Sequence, residues 1–312
     1  MGYKEKKDSD ASIQGTLIRE LIGRFTSYHL IGKKIKNGEF RKKITEPAWN
    51  VPDGFTMTEI PMDTFAMEWL TQEGSVSDYA LLQLHGGGYV GKLHNAYRNF
   101  AHLYSQMGDG MSVLTIEYRV APEDPYPAAL LDAVCAYRWL LEKGYDGEKI
   151  IVAGDSAGGG LALALVMYLR DHNMQLPCGV IAMSPWTDMT SSGESYQTNF
   201  EKDPLFGNTR DSLIYNREYL GLEDPKNPYI SPAFGSFDEF PPMLIQAGSY
   251  EMLLSDSETV AKKAKEQGVK VRFHIYEGMF HVFQMAMQLM PESILAWKEI
   301  GRFLDIVRES EN

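Results

Sequence analysis

From about residue 55 the chain alternates short apolar runs with longer stretches whose apolar residues recur every three or four positions. The short runs predict strands at Phe55–Pro61, Thr64–Leu70, Ala80–Leu84, Ser112–Glu117, Ile150–Ala153, Val180–Met183, Met243–Gln246 and Val271–Tyr276. Helical spacing falls between most of the later ones, at Asn95–Met107, Pro127–Lys143, Ala157–His172, Ser255–Glu266 and Glu292–Val307. Such alternation predicts an α/β protein with a mostly parallel sheet of about eight strands, covered by helices on both faces. The first two or three strands follow one another directly and alternate in polarity, which predicts an antiparallel edge. Over 12–36, Ile13, Leu17, Ile18, Leu21, Ile22 and Phe25 share one helical face, and Arg19, Glu20 and Arg24 occupy the other. Residues 187–238 break the rhythm. They are rich in Asp, Ser, Asn, Gly and Pro, with a helical patch around Asp211–Leu220, and so predict a lid inserted between two core strands.

Charge and cysteine usage narrow the partners. The 312 residues carry a formal net charge of -12, which argues against nucleic-acid backbones and anionic membranes. Cys135 and Cys178 both sit in apolar contexts and are expected to be buried free thiols; no spacing suits a zinc site. The charged start lacks a signal-type apolar core, and no stretch approaches a membrane span, so the cytoplasm is the expected compartment.

The strongest chemical signal is Gly154-Asp155-Ser156-Ala157-Gly158, between an apolar strand and an apolar helix. A sharp strand-to-helix turn brings backbones too close for side chains at the flanking positions, hence the two glycines. It lifts the Ser156 hydroxyl to the carboxyl edge of the sheet, beside the positive end of the helix. The second signal is His85-Gly86-Gly87-Gly88 directly after the strand Ala80–Leu84. Its backbone N–H groups are suited to a developing oxyanion, so Gly86 and Gly87 are expected to donate together with Ala157. A phosphate-binding reading is weak, because no Lys-Ser/Thr pair follows and Gly-x-Gly-x-x-Gly is absent. His85 is expected to shape this loop by hydrogen bonding.

A serine nucleophile needs a base, and the base an orienting acid, in the chain order serine, acid, histidine. Of the histidines after Ser156, His172 ends a helix and is expected to cap it, and His274 lies within a strand. Only His281 follows the last strand in a loop, and it is the expected base. Glu251 lies in the loop after Met243–Gln246 and is the expected acid. Asp256, near the next helix start, is the alternative and is expected to serve as a helix N-terminal charge or cap.

Together these motifs resemble the hormone-sensitive lipase family of bacterial esterases, of the α/β-hydrolase fold. HGGG at 85–88, GDSAG at 154–158 and GMFHVF at 278–283 match its pattern in order. The segments 117–123, 126–129 and 184–188 (EYRVAPE, YPAA and SPWTD) are similar to further stretches of that family. One departure is that Glu251-Met252-Leu253-Leu254-Ser255 replaces the usual Asp-Pro-Leu-x-Asp run. The resemblance implies a catalytic domain over 46–312 and a cap built from 1–45 and 187–238. It implies a carboxylesterase acting on short- to medium-chain acyl esters without cofactor or metal, and a homodimer through the edge strand Val271–Tyr276. Phe200, Leu205, Phe206, Leu213 and Tyr215 are candidates to line its pocket. An amidase, lactonase or carbamate hydrolase could use the same triad, and a non-catalytic receptor could use the same fold.

Overall fold

A computed structural model of the chain describes residues 11–25, 38–39 and 46–309. Eight strands form one sheet in the order β1-β2-β4-β3-β5-β6-β7-β8. They are β1 (Phe55–Pro61), β2 (Ala66–Gln72), β3 (Ala80–Leu84), β4 (Ser112–Glu117), β5 (Ile150–Asp155), β6 (Gly179–Met183), β7 (Met243–Gly248) and β8 (Val271–Tyr276). β1 pairs antiparallel with β2, and β2 antiparallel with β4, while β4 through β8 are parallel. The antiparallel edge therefore consists of β1 and β2, and β3 lies inside the parallel part. Thr64 and Phe65 fall outside β2, because Met62 N–H bonds back to Phe65 C=O at 3.0 Å and closes a tight connection. Pro61 then pairs with Ala66.

The helices are α1 (Ile13–Phe25), α2 (Asn95–Met107), α3 (Ala128–Glu142), α4 (Ala157–Asp171), the single turn α5 (Ser195–Thr198), α6 (Leu254–Glu266) and α7 (Pro291–Glu309). Strand periodicity assigns each helix to a face of the sheet. Along β5, Ile150 and Val152 enter the core shared with α3, α4 and α6, whereas Ile151 and Ala153 enter the core shared with α2 and α7. Each such fully buried aliphatic side chain contributes about 1.5–3 kcal/mol, which fixes the register of the central strands.

Several expectations need correction in detail. The patch Asp211–Leu220 is not a helix; only Leu213–Tyr215 turns, as a 3-10 element. Side chains compete for its amides there: Asn216 Oδ1 accepts Glu218 N–H at 2.7 Å and Thr209 Oγ1 accepts Asp211 N–H at 3.0 Å. Cys135 and Cys178 are free, but only partly buried. The N-terminal helix is described as far as Phe25; its expected continuation to residue 36, and the cap role expected for the rest of 1–45 apart from 38–39, lie outside the described residues. Among the described residues no helix is long and apolar enough to cross a membrane.

Candidate active site

The loops after β3, β5, β6, β7 and β8 gather at the carboxyl edge of the parallel sheet, where open α/β sheets place their ligands. Ser156 sits between β5 and α4 with φ 53° and ψ −122°, a strained conformation for a residue with a Cβ. The turn is pinned from both sides. Ser156 N–H donates to Met183 C=O at 2.9 Å, and Ser156 C=O accepts Gly160 N–H at 3.0 Å and Trp186 N–H at 2.9 Å. A Cβ on Gly154 would lie closer than 3 Å to the Gly158 carbonyl, and one on Gly158 closer than 3 Å to the carbonyls of Leu84 and His85. That crowding is the physical reason for glycine on each side of the Asp-Ser-Ala core.

His281 and Glu251 form a buried pair, with His281 Nδ1 to Glu251 Oε2 at 2.9 Å. The carboxylate's other oxygen, Oε1, accepts the Ser184 hydroxyl at 2.9 Å and the Gly248 N–H. Glu251 thus compensates for its length over aspartate by curling back onto the end of its own strand. Ser184 has φ 46° and bridges the site: its Oγ also accepts Val282 N–H at 3.1 Å, next to the imidazole. A short relay of bonds therefore runs from Ser156 through Met183–Ser184 to Val282. The Ser156 hydroxyl makes no hydrogen bond to a described residue. In unliganded sites the nucleophile–base bond is commonly long and tightens only with substrate.

The triple-glycine turn differs from expectation at one amide. Gly86 N–H is already taken, by Tyr97 OH at 2.8 Å and Asp155 Oδ1 at 3.0 Å, so it does not face an oxyanion. Among the described residues nothing accepts from the N–H groups of Gly87, Gly88 or Ala157. Gly87 and Gly88 adopt φ 115° and 63°, which exposes these amides and explains the triple glycine. The Gly86 amide is taken while that of Gly88 is not, because Asp155, the variable position of the serine motif, reaches back to the earlier loop.

Burial tunes the surroundings. Burial pushes the Asp155 carboxyl up to about 7, against the lowering influence of His281 and of the bonds from Tyr97 and Gly86. Burial drives the His85 imidazole down to about 4, so it is neutral at pH 7. His85 Nδ1 lies 2.7 Å from Gly86 O, its ring stacks on Tyr118 at 4.1 Å, and Tyr118 OH donates to His85 C=O at 2.6 Å. These contacts hold the glycine turn, as its sequence position suggested.

The remaining candidates separate. His172 bonds the Tyr168 carbonyl through Nδ1 at 2.8 Å at the end of α4, and His274 Nδ1 bonds Glu299 of α7 at 3.2 Å. Asp256 is buried in the first turn of α6, yet its Oδ2 accepts the Thr187 and Asp188 amides, each at 2.8 Å, rather than capping the helix. Phe206 approaches the His281 ring at 4.7 Å, and Leu213 packs on Gly88. Phe200 and Tyr215 instead flank Arg210, and Leu205 is partly buried. Asp203 carries Phe206: its carboxylate accepts the Leu205 and Phe206 amides and, from the acid loop, Met252 N–H at 2.8 Å. Among the described residues, no group of three or more His, Cys, Asp or Glu side chains is arranged to hold a metal ion.

A family model described as alpha/beta hydrolase fold matches residues 81–285. The chain is 36% identical over 302 residues to an acetyl-hydrolase of Streptomyces hygroscopicus, covering 94% of this chain and 97% of that protein. It is 36% identical over 226 residues to an esterase of Acinetobacter venetianus, covering 72% of this chain and 73% of that one. Among solved structures, an esterase/lipase from an uncultured bacterium superposes with TM-score 0.83 at 33% identity, covering 95% of this chain and 99% of the other. A crystallised esterase of the bacterial hormone-sensitive lipase family gives TM-score 0.81 at 32% identity, with 95% and 98% covered.

Proposed function

This chain belongs to the α/β-hydrolase family, among bacterial esterases of the hormone-sensitive lipase type, and from that premise we propose that it hydrolyses short-chain acyl esters with Ser156, His281 and Glu251 as its triad. It is an ester hydrolase of the α/β-hydrolase type. The observation that carries the finer reading is the buried Glu251–His281 pair at 2.9 Å, joined through Ser184 to the Ser156 turn.

In this mechanism Glu251 holds the Nδ1 proton and leaves Nε2 as the base. His281 takes the Ser156 proton as Oγ attacks the ester carbonyl. The tetrahedral oxyanion is received by the N–H groups of Gly87, Gly88 and Ala157, the last at the positive end of α4. His281 then protonates the departing alkoxide, leaving an acyl-serine that water cleaves by the same steps. Short acyl groups are favoured because Leu213 covers Gly88 and Phe206 crowds His281; an acetyl-hydrolase among the relatives fits this size. Residues 187–238 and α1 act as the cap over the catalytic domain. The test is turnover of p-nitrophenyl esters of rising acyl length. Wild-type protein is expected to act on acetate and butyrate and to fall sharply on longer chains, and Ser156→Ala is expected to lose turnover and labelling by a serine-reactive phosphonate. Wild-type turnover by Ser156→Ala would overturn the proposal.

A further inference from the structure

Helix α1 is docked on the loops that carry the acid and the base. Its Ser12 end is anchored to α7, with Ser12 N–H and Oγ bonded to Glu292 at 2.6 and 3.0 Å. Its inner face, with Ile18 and Ile22, packs on the cluster of Tyr276, Met279, Phe280 and Phe283. Gly15 lies so close to Met279 that an added Cβ would stand 2.8 Å from Cε. Arg19, which apolar spacing assigns to the opposite face, instead projects beside Ile18 to the loops carrying Glu251 and His281, while Ile13, Leu17 and Leu21 of the expected apolar face are exposed. Its Nη1 donates to Gly278 C=O at 2.6 Å, three residues before His281. Its guanidinium carbon lies 4.5 Å from the centroid of the Tyr250 ring, the residue before Glu251. Lys202, from the 187–238 insertion, also approaches that ring, with Nζ at 5.9 Å.

The two loops have their own links. Tyr250 N–H donates to Met279 C=O at 3.0 Å, and Ser249 Oγ both accepts Gly278 N–H at 2.8 Å and donates to Glu277 at 3.0 Å. All of these are made by residues of the two loops themselves, close to the sheet. Arg19 adds a tie from outside, supplied by a different part of the chain.

We propose that Arg19 is a positioning residue for the esterase reaction, setting the spacing between the Tyr250–Glu251 and Gly278–His281 loops with a single guanidinium. The group suits the task because it is planar: a face can lie over an aromatic ring while an edge N–H meets a carbonyl. A lysine ammonium on a flexible stem offers no such plane. The quantity at stake is the Glu251–His281 contact, since displacements of about 1 Å in a catalytic constellation cost up to about a hundredfold in rate. Substrate does not touch Arg19 in this assignment, so its loss should appear in kcat and not in KM.

The inference rests on the reading of Glu251 and His281 as acid and base, and the experiment separates the two. Steady-state hydrolysis of p-nitrophenyl acetate is measured on the full chain for Arg19→Ala, Arg19→Lys, Tyr250→Leu, the Arg19→Ala/Tyr250→Leu double variant, Glu292→Gln and His281→Ala, with a thermal midpoint for each. Arg19→Ala is expected to lower kcat about tenfold with KM within about twofold, and Arg19→Lys to restore little of it. The double variant should fall by clearly less than the product of the two single losses, because both cut one contact. Glu292→Gln, which weakens only the far anchor of α1, should lower the thermal midpoint and keep kcat. Full kcat in Arg19→Ala, full rescue by lysine, multiplicative losses in the double variant, or a kcat loss in Glu292→Gln matching its midpoint would each overturn the inference. If His281→Ala is inactive while Arg19→Ala is fully active, only this inference fails. An active His281→Ala removes the triad reading beneath it.

Discussion

Removing the Ser184 hydroxyl is the sharpest test of how the site is held. Ser184→Ala keeps the Cβ and the left-handed φ of 46°, so the change isolates one oxygen. That oxygen donates to Glu251 Oε1 at 2.9 Å and accepts Val282 N–H at 3.1 Å. A hydrogen bond to a charged group is worth about 1.5–3 kcal/mol, and a buried amide left without an acceptor costs about 1–3 kcal/mol. Taking the lower part of both ranges, the variant should lose about 3 kcal/mol. For a domain of this size each kcal/mol moves the midpoint by about 2–4 °C, so a fall of about 6–12 °C is expected by calorimetry. Glu251 keeps its bonds to His281 and Gly248 but loses a group that fixes its orientation, so kcat on p-nitrophenyl acetate should drop about tenfold with KM little changed. Ser184→Gly removes the same hydroxyl but relieves the left-handed strain, and should be the more stable of the two by about 1 kcal/mol. A midpoint within about 2 °C of wild type, together with kcat within about twofold, would refute the reasoning, since both exceed what these bonds allow.

Two further outcomes follow from packing and charge. Gly158→Ala is expected to abolish the folded, active protein, because the new methyl would press on the backbone carbonyls of Leu84 and His85, which have no side-chain freedom to yield; solubility and far-UV circular dichroism check it. The paired burial of His85 and Asp155 predicts an acid-stability phenotype. His85, lowered from 6.5 to about 4, stays neutral in the fold while the unfolded chain takes up a proton. Stability from this group is therefore lost as pH falls from about 6.5 to about 4, on the order of 3 kcal/mol. Asp155, raised from 3.8 to about 7, binds its proton in the fold first, so its contribution grows over the same fall and opposes that loss. Asp155→Asn should accordingly lose more stability between pH 7 and pH 4 than wild type, read as urea midpoints; an equal or smaller loss would contradict this assignment.

The parts of the site legible in the sequence are those fixed by local backbone. Ser156 is announced by a motif between a strand and a helix, and His281 and Glu251 by loops that must follow β8 and β7 at the same edge. The central strands are legible because cover on both faces makes them short, nearly continuous apolar runs, and the edge strand because it alternates. What was not legible depends on partners far along the chain. Which amides of the triple run are left unpaired is decided by Asp155 and Tyr97 capturing that of Gly86. Ser184 appears as one serine of a Ser-Pro-Trp segment, and nothing local reveals that it will bridge Glu251 and Val282. The helical pattern at 211–220 misleads because Thr209 and Asn216 offer their own oxygens to its amides, a competition that apolar spacing does not register.

Leu213 supplies a ceiling to the triple-glycine turn, its side chain resting within 3.5 Å of where a Gly88 Cβ would stand. In the proposed reaction such an apolar cover would exclude water beside that turn and strengthen the pull of its amides on a growing negative charge. One leucine would thus trade room for the acyl group against the strength of the anion cradle.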